Sequence, residues 1–397
     1  MRWMPLGLFV TSILLSGCVV RLSTLQAPLK TKLSSDRVEL PTTFVNQCPC
    51  VDLKINGKGP YRFIVDTGSA VTNISERIAR ESGSVVSKKI IARVSGATGK
   101  YENQPTAIIG RLESEGFFMK GVAVVVWQSG SAWGDGVDGI IGMAALQDVV
   151  LEIDYPKQKV SLSRPENVSL PISEGISYSG LLPQVTISTP SSEKPKIEAV
   201  IDTGADEGFA LNHIYCYPTS GGLSKEDRYA TDVGGEFSRP LFGQLSGDMS
   251  LGPATWRNPL IRESENNRIG SPALEHWKLV IDQKKKMLWL LGEKGMMTLT
   301  TYDGPLESDG RPAVSGFAGV ADGDAVLVTE VDPNSRAERA GLKIGDRIMM
   351  EPILPVVAGA SSGGEAKVLR LKVVRGSEKI EINLSFLNAI FPENRTP

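Results

Sequence analysis

The chain carries short apolar runs that end in turn residues, a pattern that indicates buried strands rather than long helices. One run lies at residues 63–65 (Phe-Ile-Val) and another at residues 199–201 (Ala-Val-Ile). Each is followed at once by Asp-Thr-Gly, at residues 66–68 and 202–204. We therefore predict two buried strands, each ending in a tight turn that presents an aspartate.

A second turn repeats downstream of each aspartate, at residues 138–142 (Asp-Gly-Ile-Ile-Gly) and 267–270 (Asn-Arg-Ile-Gly). From there residues 142–154 align with residues 270–282 without a gap, and Gly, Ala, Leu, Leu, Ile and Asp match at equal spacing. Both halves thus predict a strand, an aspartate turn, further strands, an apolar-Gly turn, a short helix and a closing strand. This order predicts a duplicated all-β lobe.

The N-terminus has the pattern of an export signal. Arg2 precedes an apolar run at residues 6–15, which has the length of a signal-peptide core, and Leu-Ser-Gly-Cys ends at Cys18. This ending resembles the lipobox of bacterial lipoproteins, which implies a signal peptide over residues 1–18 and a lipid on Cys18. In that family the next residue affects sorting, and Val19 favours the outer membrane. An ordinary signal peptide or an uncleaved anchor is the alternative.

The composition narrows the class of function. The 397 residues suffice for two or three domains, with 41% hydrophobic and 22% charged residues. A formal net charge of -2 gives no basic surface for nucleic acid, so we expect no such partner. His213 and His276 are the only histidines, and neither HExxH nor GxxxxGK[ST] occurs. We therefore expect carboxylate chemistry without a cofactor or a metal.

The paired motifs resemble those of aspartic proteases of the pepsin and retropepsin superfamily. The first half resembles the bacterial retropepsin-like group at residues 55–63 (Ile-Asn-Gly-Lys-Gly-Pro-Tyr-Arg-Phe). The second half resembles the retroviral pattern at residues 202–206 (Asp-Thr-Gly-Ala-Asp). The resemblance implies a mostly β fold with two homologous β-barrel-like lobes related by a pseudo-two-fold axis. We expect a tether at residues 19–40 and an N-lobe at residues 41–165. An inter-lobe connection at residues 166–180 then leads to a C-lobe at residues 181–293.

Asp66 and Asp202 are the predicted catalytic dyad. Two carboxylates a few ångströms apart cannot easily both ionise, so they share one proton. The ionised member polarises a water molecule, and the protonated member forms a hydrogen bond with the scissile carbonyl. Because both aspartates lie in one chain, we expect a monomer.

The residues after each aspartate are predicted to support it. The resemblance implies that Thr67 and Thr203 reach across to the opposite lobe, while Gly68 and Gly204 let backbone N–H groups approach the carboxylates. Ser69 has a hydroxyl that could bond to the Asp66 carboxylate, whereas Ala205 offers none to Asp202. We therefore hypothesise that Asp66 is the more often ionised partner.

Substrate contacts are expected at a flap and at one further aspartate. Residues 94–101 are the flap candidate, because Gly96 and Gly99 suit a hairpin tip, and Tyr101 would match the flap tyrosine of pepsin-like enzymes. Residues 232–237 occupy the corresponding place in the second lobe. Asp206 resembles the retroviral aspartate that contacts the substrate backbone, with a solvated turn residue as the alternative. Residues 127–133 could border the cleft, although core packing is the favoured role.

Cys48, Cys50 and Cys216 leave two alternatives open. An exported chain allows one disulfide, with Cys216 paired to Cys48 or Cys50, because a Cys48–Cys50 ring is too tight. A metal site formed by these three cysteines and His213 is the less favoured alternative.

The C-terminal third resembles a bacterial protease-type PDZ domain, a small α+β unit, over residues 312–387. The resemblance rests on residues 340–348 (Ala-Gly-Leu-Lys-Ile-Gly-Asp-Arg-Ile). It implies a carboxylate-binding loop formed by Phe317, Ala318, Gly319 and Val320 and a C-terminal peptide as partner. The usual Asn-Gly turn after Ile348 is absent, which also allows a purely structural role. Residues 294–311 are the expected linker and residues 388–397 a tail.

Together these features predict a lipid-anchored aspartic endopeptidase of the bacterial envelope, on the periplasmic face of the outer membrane. Its substrate is a polypeptide, and the PDZ-like domain recruits it or regulates the enzyme. The alternative is a non-catalytic peptide-binding or scaffold lipoprotein on a retained protease fold.

Overall fold

The structure is a computed structural model that describes residues 27–95, 101–127, 136–225, 230–231, 237–292, 297–299, 316–322, 325–349, 355–358 and 366–386. Cys18 and the export signal lie outside the described residues. In the part of the chain that is described, no helix has the length and apolar character needed to cross a membrane. The mostly β fold class predicted from the sequence is confirmed.

The first lobe is built from twelve strands and one short helix, α1 (Glu76–Glu81), which the Ser75 side chain caps by accepting from Ile78 N. The strands are β1 (Lys30–Leu33), β2 (Arg37–Leu40), β3 (Thr42–Val45), β4 (Cys48–Ile55), β5 (Lys58–Asp66), β6 (Thr72–Ser75), β7 (Val85–Ser95), β8 (Tyr101–Ser114), β9 (Phe117–Trp127), β10 (Gly139–Gly142), β11 (Val150–Asp154) and β12 (Lys159–Ser163). Short 3-10 turns at Pro165–Asn167 and Ile172–Glu174 lead to the second lobe.

The second lobe repeats this plan with fifteen strands and the helix α2 (Ser271–Leu274). The strands are β13 (Ile176–Ser177), β14 (Gln184–Ser188), β15 (Lys196–Asp202), β16 (Phe209–Leu211), β17 (Thr219–Lys225), β18 (Ala230–Thr231), β19 (Phe237–Ser238), β20 (Leu241–Leu245), β21 (Asp248–Leu251), β22 (Ala254–Arg257), β23 (Leu260–Glu263), β24 (Arg268–Gly270), β25 (Lys278–Asp282), β26 (Met287–Leu291) and β27 (Met297–Leu299), with a 3-10 turn at Ile214–Cys216.

The two lobes share one strand topology. The first lobe contains the order β5-β10-β6-β9, and the second contains β15-β24-β16-β23. Within each set the first pair is parallel, the second antiparallel and the third parallel. The duplication inferred from the sequence is therefore a duplication of the fold.

A six-stranded antiparallel sheet joins the lobes, in the order β13-β26-β25-β11-β12-β2. Its central pair is β11 with β25, where Glu152 lies opposite Val280. These two residues are also equivalent in the sequence repeat, so the pseudo-two-fold axis passes through this pair. One continuous apolar core extends through both lobes and includes the fully buried Trp256 and Trp277.

Two domain boundaries differ from the sequence prediction. The predicted tether, residues 19–40, contains β1, which pairs with β9, and β2, which pairs with β12. The alternate burial of Val38 and Leu40 shows why this segment is part of the fold. The predicted linker at residues 294–311 contains β27, which pairs with β22.

The C-terminal unit is a six-stranded sheet with the short helix α3 (Arg336–Arg339). Its strands are β28 (Phe317–Asp322), β29 (Ala325–Val331), β30 (Arg347–Met349), β31 (Pro355–Ala358), β32 (Ala366–Arg375) and β33 (Glu378–Phe386). The predicted loop from Phe317 to Val320 is instead the start of β28. These four residues pair with β29, so their backbone belongs to the sheet.

Ion pairs connect this unit to the second lobe. The Arg239 side chain is 1% exposed and forms two bonds with the Asp332 carboxylate, at 2.6 and 2.8 Å. Lys225 Nζ lies 2.8 Å from Glu330 Oε1. Lys225 at the end of β17 and Arg239 just before β20 therefore connect the second lobe to the C-terminal unit.

Candidate active site

The two Asp-Thr-Gly turns lie at equivalent strand ends. Asp66 ends β5, and Gly142 of β10 lies beside it in register; Asp202 ends β15, and Gly270 of β24 lies beside it. A Cβ at Gly142 would approach Val71 O to 2.3 Å, so the apolar-Gly turn requires glycine for its close packing. The predicted pairing of each aspartate turn with an apolar-Gly turn is thus present in both lobes.

The lobes bring the two aspartates into direct contact. The glycine of each turn faces the carboxyl group of the other lobe. A Cβ at Gly68 would lie 2.3 Å from Asp202 Cγ, and one at Gly204 would lie 2.5 Å from Asp66 Cγ. Each glycine therefore makes room for the carboxylate of the opposite lobe.

Backbone amides hold the carboxylates in place. Gly68 N and Ser69 N donate to Asp66 Oδ1 at 2.8 and 3.0 Å, and Gly204 N donates to Asp202 Oδ1 at 3.1 Å. The Ser69 hydroxyl instead donates to Val71 O at 2.9 Å. The prediction that this hydroxyl bonds to Asp66 is therefore wrong, because the turn directs it toward its own backbone.

The two threonines interlock the lobes below the dyad, as the resemblance implied. Thr67 Oγ1 donates to Ile201 O at 2.5 Å and accepts from Thr203 N at 3.1 Å. Thr203 Oγ1 donates to Val65 O at 2.5 Å and accepts from Thr67 N at 3.1 Å. Both side chains are fully buried, so four hydrogen bonds fix the two strand ends relative to each other.

A chain of hydrogen bonds supports the second Asp-Thr-Gly turn and was not predicted from the sequence. Ser271 Oγ donates to Thr203 O at 2.8 Å, and the Tyr155 hydroxyl lies 2.8 Å from Ser271 Oγ. Tyr155 belongs to the first lobe, so this chain also links the lobes. Ser271 directly follows the apolar-Gly turn in the sequence, but its contact with Tyr155 depends on how the two lobes pack against each other.

Burial is the main cause that raises the pKa of both aspartates. The Asp202 charge also raises the pKa of Asp66, which lies well above its usual range. For Asp202, the Arg268 charge counteracts burial and lowers the pKa. The Arg268 charge favours an ionised Asp202, whereas the hypothesis drawn from Ser69 favoured an ionised Asp66; which partner is ionised stays a prediction.

Arg268 and Glu207 are charged neighbours of the dyad that the prediction missed. Arg268 Nε lies 3.6 Å from Asp202 Oδ2, and its Nη2 lies 2.5 Å from Glu207 Oε1. The signal was present in the repeat, since Arg268 replaces an apolar residue of the first turn. Sequence alone did not show that this side chain faces the dyad.

The predicted substrate-binding residues are partly described. β7 and β8 form a hairpin with Ser95 opposite Tyr101, whereas Gly96 and Gly99 lie outside the described residues. Asp206 is exposed, and its charge contributes to the raised pKa of Cys48 in the other lobe. Asp206 therefore lies near the junction of the lobes, and its contact with substrate stays a prediction.

Two further predicted segments, at residues 127–133 and 232–237, are described only in part. Of residues 232–237, only Phe237 is described, in a hairpin opposite Thr231. Trp127 is buried in a small cluster with Ala92 and Val125, which agrees with core packing.

The cysteines form neither of the two arrangements considered. Cys48, Cys50 and Cys216 are all unpaired, and the first two are buried. Burial raises the pKa of the Cys50 thiol to about 11. No group of three metal-ligating side chains occurs among the described residues, which include all three cysteines and His213.

The raised pKa of Asp66 predicts a pH-dependent stability. A folded-state pKa above the unfolded value of about 3.9 stabilises the fold at low pH, and this contribution is lost as the pH rises through the folded pKa, by about 1.4 kcal/mol per unit. Asp66→Asn removes the titration. The melting temperature of the variant should therefore rise relative to wild type between about pH 4 and pH 7, measured by calorimetry. Parallel melting curves across that range would contradict the raised pKa.

Comparison with protein families gives a match in the first lobe. Residues 51–145 match the family described as aspartyl protease. This range runs from β4 to just beyond β10 and includes Asp66 but not Asp202, so it covers the core of the first lobe. The match supports an aspartic protease family and a protease function. A search of curated proteins found no match.

Proposed function

We propose that this chain is an aspartic endopeptidase that hydrolyses peptide bonds with a water molecule activated by Asp66 and Asp202. The observation that carries the proposal is the meeting of the two Asp-Thr-Gly turns, where the glycine of each turn faces the carboxyl group of the other. The aspartyl protease match over residues 51–145 supports the same class of reaction. The side chain of Asp202 is 14% exposed, which leaves the dyad open to water and substrate.

The reaction follows from the shared proton. The ionised carboxylate takes a proton from water as the water oxygen attacks the carbonyl carbon, and the protonated carboxyl donates its proton to the carbonyl oxygen. The resulting tetrahedral diol collapses when a proton reaches the amide nitrogen and the C–N bond breaks. The products are one carboxylic acid and one amine, and the dyad returns to its singly protonated form.

The C-terminal unit is proposed to be a PDZ-like domain that recruits substrate or regulates the protease. The ion pairs of Arg239 with Asp332 and of Lys225 with Glu330 support regulation, because they connect this unit to the second lobe. A chain terminus could add as a strand to its sheet. Residues 317–320 pair with β29 on one side, and β28 ends the strand order of the described sheet, so a chain terminus could add along its other side.

The cellular setting remains part of the proposal. A lipid on Cys18 would hold a monomeric enzyme on the periplasmic face of the bacterial outer membrane. The substrate is a polypeptide, and the dyad chemistry needs no cofactor or metal.

Cleavage of a mixed peptide library by the full-length protein tests the function. We expect cleavage within peptides between about pH 4 and pH 7.5, with a bell-shaped pH dependence, because one proton must remain on the pair. A peptide with a statine-type hydroxyl in place of the scissile bond should inhibit it, since it mimics the tetrahedral intermediate. A folded protein that neither cleaves nor binds this mimic would favour the scaffold alternative.

A further inference from the structure

The internal repeat reveals an electrostatic asymmetry around the dyad. Ile140 of the first lobe and Arg268 of the second occupy equivalent positions, two residues before Gly142 and Gly270. Ile140 packs in an apolar cluster with Ile64 and Cys48. The first lobe therefore has an apolar side chain at this position, whereas the second lobe has a cation.

Arg268 is held in place by partly buried acidic partners. Its side chain is 15% exposed, and Glu207, also 14% exposed, binds its Nη2. Burial disfavours the charge on Arg268, but Glu207 and Asp202 outweigh this effect and raise its pKa. The Nε atom is buried and has no hydrogen-bond partner among the described residues, and it lies 3.6 Å from Asp202 Oδ2. This cation is thus aimed at the dyad.

The other titratable groups near Asp202 do not provide a comparable positive charge. Burial raises the pKa of Cys48 and of Tyr155, so both stay neutral over the working range. Glu207 is an anion, since Arg268 and Arg262 outweigh its burial and lower its pKa. Arg262 Nη1 lies 4.0 Å from Glu207 Oε2, and its charge lowers the pKa of Glu207.

We propose that Arg268 is a positioning residue that breaks the symmetry of the dyad and holds the negative charge on Asp202, so that Asp66 carries the shared proton. The inference rests on the proposed function and extends it by assigning the base and the acid. Asp202 then takes the proton from water, and Asp66 donates to the carbonyl oxygen. Glu207 orients Arg268 and offsets part of its charge.

Carboxyl titration of the full-length protein tests this assignment without requiring activity. Aspartates labelled with ¹³C at Cγ would be followed by NMR, with resonances assigned from Asp66→Asn and Asp202→Asn. We expect Asp202 to ionise at lower pH than Asp66. Arg268→Met should raise the Asp202 midpoint by about 1 unit or more, since an opposite charge at this distance shifts a pKa by about 1–3 units. The limbs of the pH–rate profile should move in the same direction.

Two further variants separate charge from structure. Glu207→Gln should lower the Asp202 midpoint, because it removes a nearby anion, and this test remains if Arg268→Met does not fold. Arg262→Met is the matched control and should shift the midpoint much less. An unchanged Asp202 midpoint in Arg268→Met, or a rise in Glu207→Gln, would overturn the proposal. If wild type cleaves no peptide while the midpoints shift as expected, the protease function fails and the charge assignment stands.

Discussion

Replacement of either dyad member by asparagine is expected to lower kcat/KM by about 10²- to 10⁴-fold or more. This range is the usual contribution of general acid–base catalysis. Asparagine keeps the size of the side chain but can neither ionise nor share the proton. Asp66→Asn and Asp202→Asn should each suffice, because the two carboxyls act as one unit. The double variant should be little worse than either single one, as is typical of groups that act together. Initial rates on one cleaved peptide, measured across the pH range, check this.

The control for these variants is Asp248→Asn. Asp248 is exposed on β21 of the second lobe, so its loss should leave kcat/KM close to wild type. A cooperative calorimetric transition at or above the wild-type melting temperature in each variant would show that lost activity does not reflect unfolding. If either single variant kept more than about a tenth of the wild-type kcat/KM, the loss would be smaller than the contribution of general acid–base catalysis. That result would refute the shared-proton mechanism.

Thr67→Val is expected to destabilise the fold by about 2–4 kcal/mol. The change removes a hydroxyl that donates to Ile201 O and accepts from Thr203 N. Both partner groups would then be buried without a hydrogen bond, at about 1–3 kcal/mol each. Valine nearly matches threonine in shape, so the loss reports the hydrogen bonds rather than a cavity. Urea unfolding followed by tryptophan fluorescence measures it.

Thr67→Ser is the matched variant because it keeps the hydroxyl and loses only a methyl group. It should cost about 1 kcal/mol, as expected for one buried methyl group. Thr203→Val should behave like Thr67→Val, since the two residues make equivalent contacts. Equal stabilities of the valine and serine variants would mean that the interlocking bonds contribute little to the joining of the lobes.

Much of the site could be predicted because its signals are local and repeated. The strand before Asp66, the glycine after Thr67 and the apolar-Gly turn follow from short-range sequence patterns. Their second copy around Asp202 made the pairing of two carboxylates a strong prediction. The orientation of the Ser69 hydroxyl was not predictable, because a turn can direct that group to the carboxylate or to its own backbone.

The sequence by itself determined the duplicated β lobes, the two aspartate turns and the candidate dyad, since periodicity and turn residues act over a few positions. Only the tertiary structure decided that β11 pairs with β25 around Glu152 and Val280, that residues 30–40 contribute two strands, and that residues 317–320 are paired in β28. It also decided that Arg268 faces Asp202. These features depend on pairing and packing between segments far apart in the chain, and local sequence patterns do not encode which distant partner, or which charge, each segment will meet.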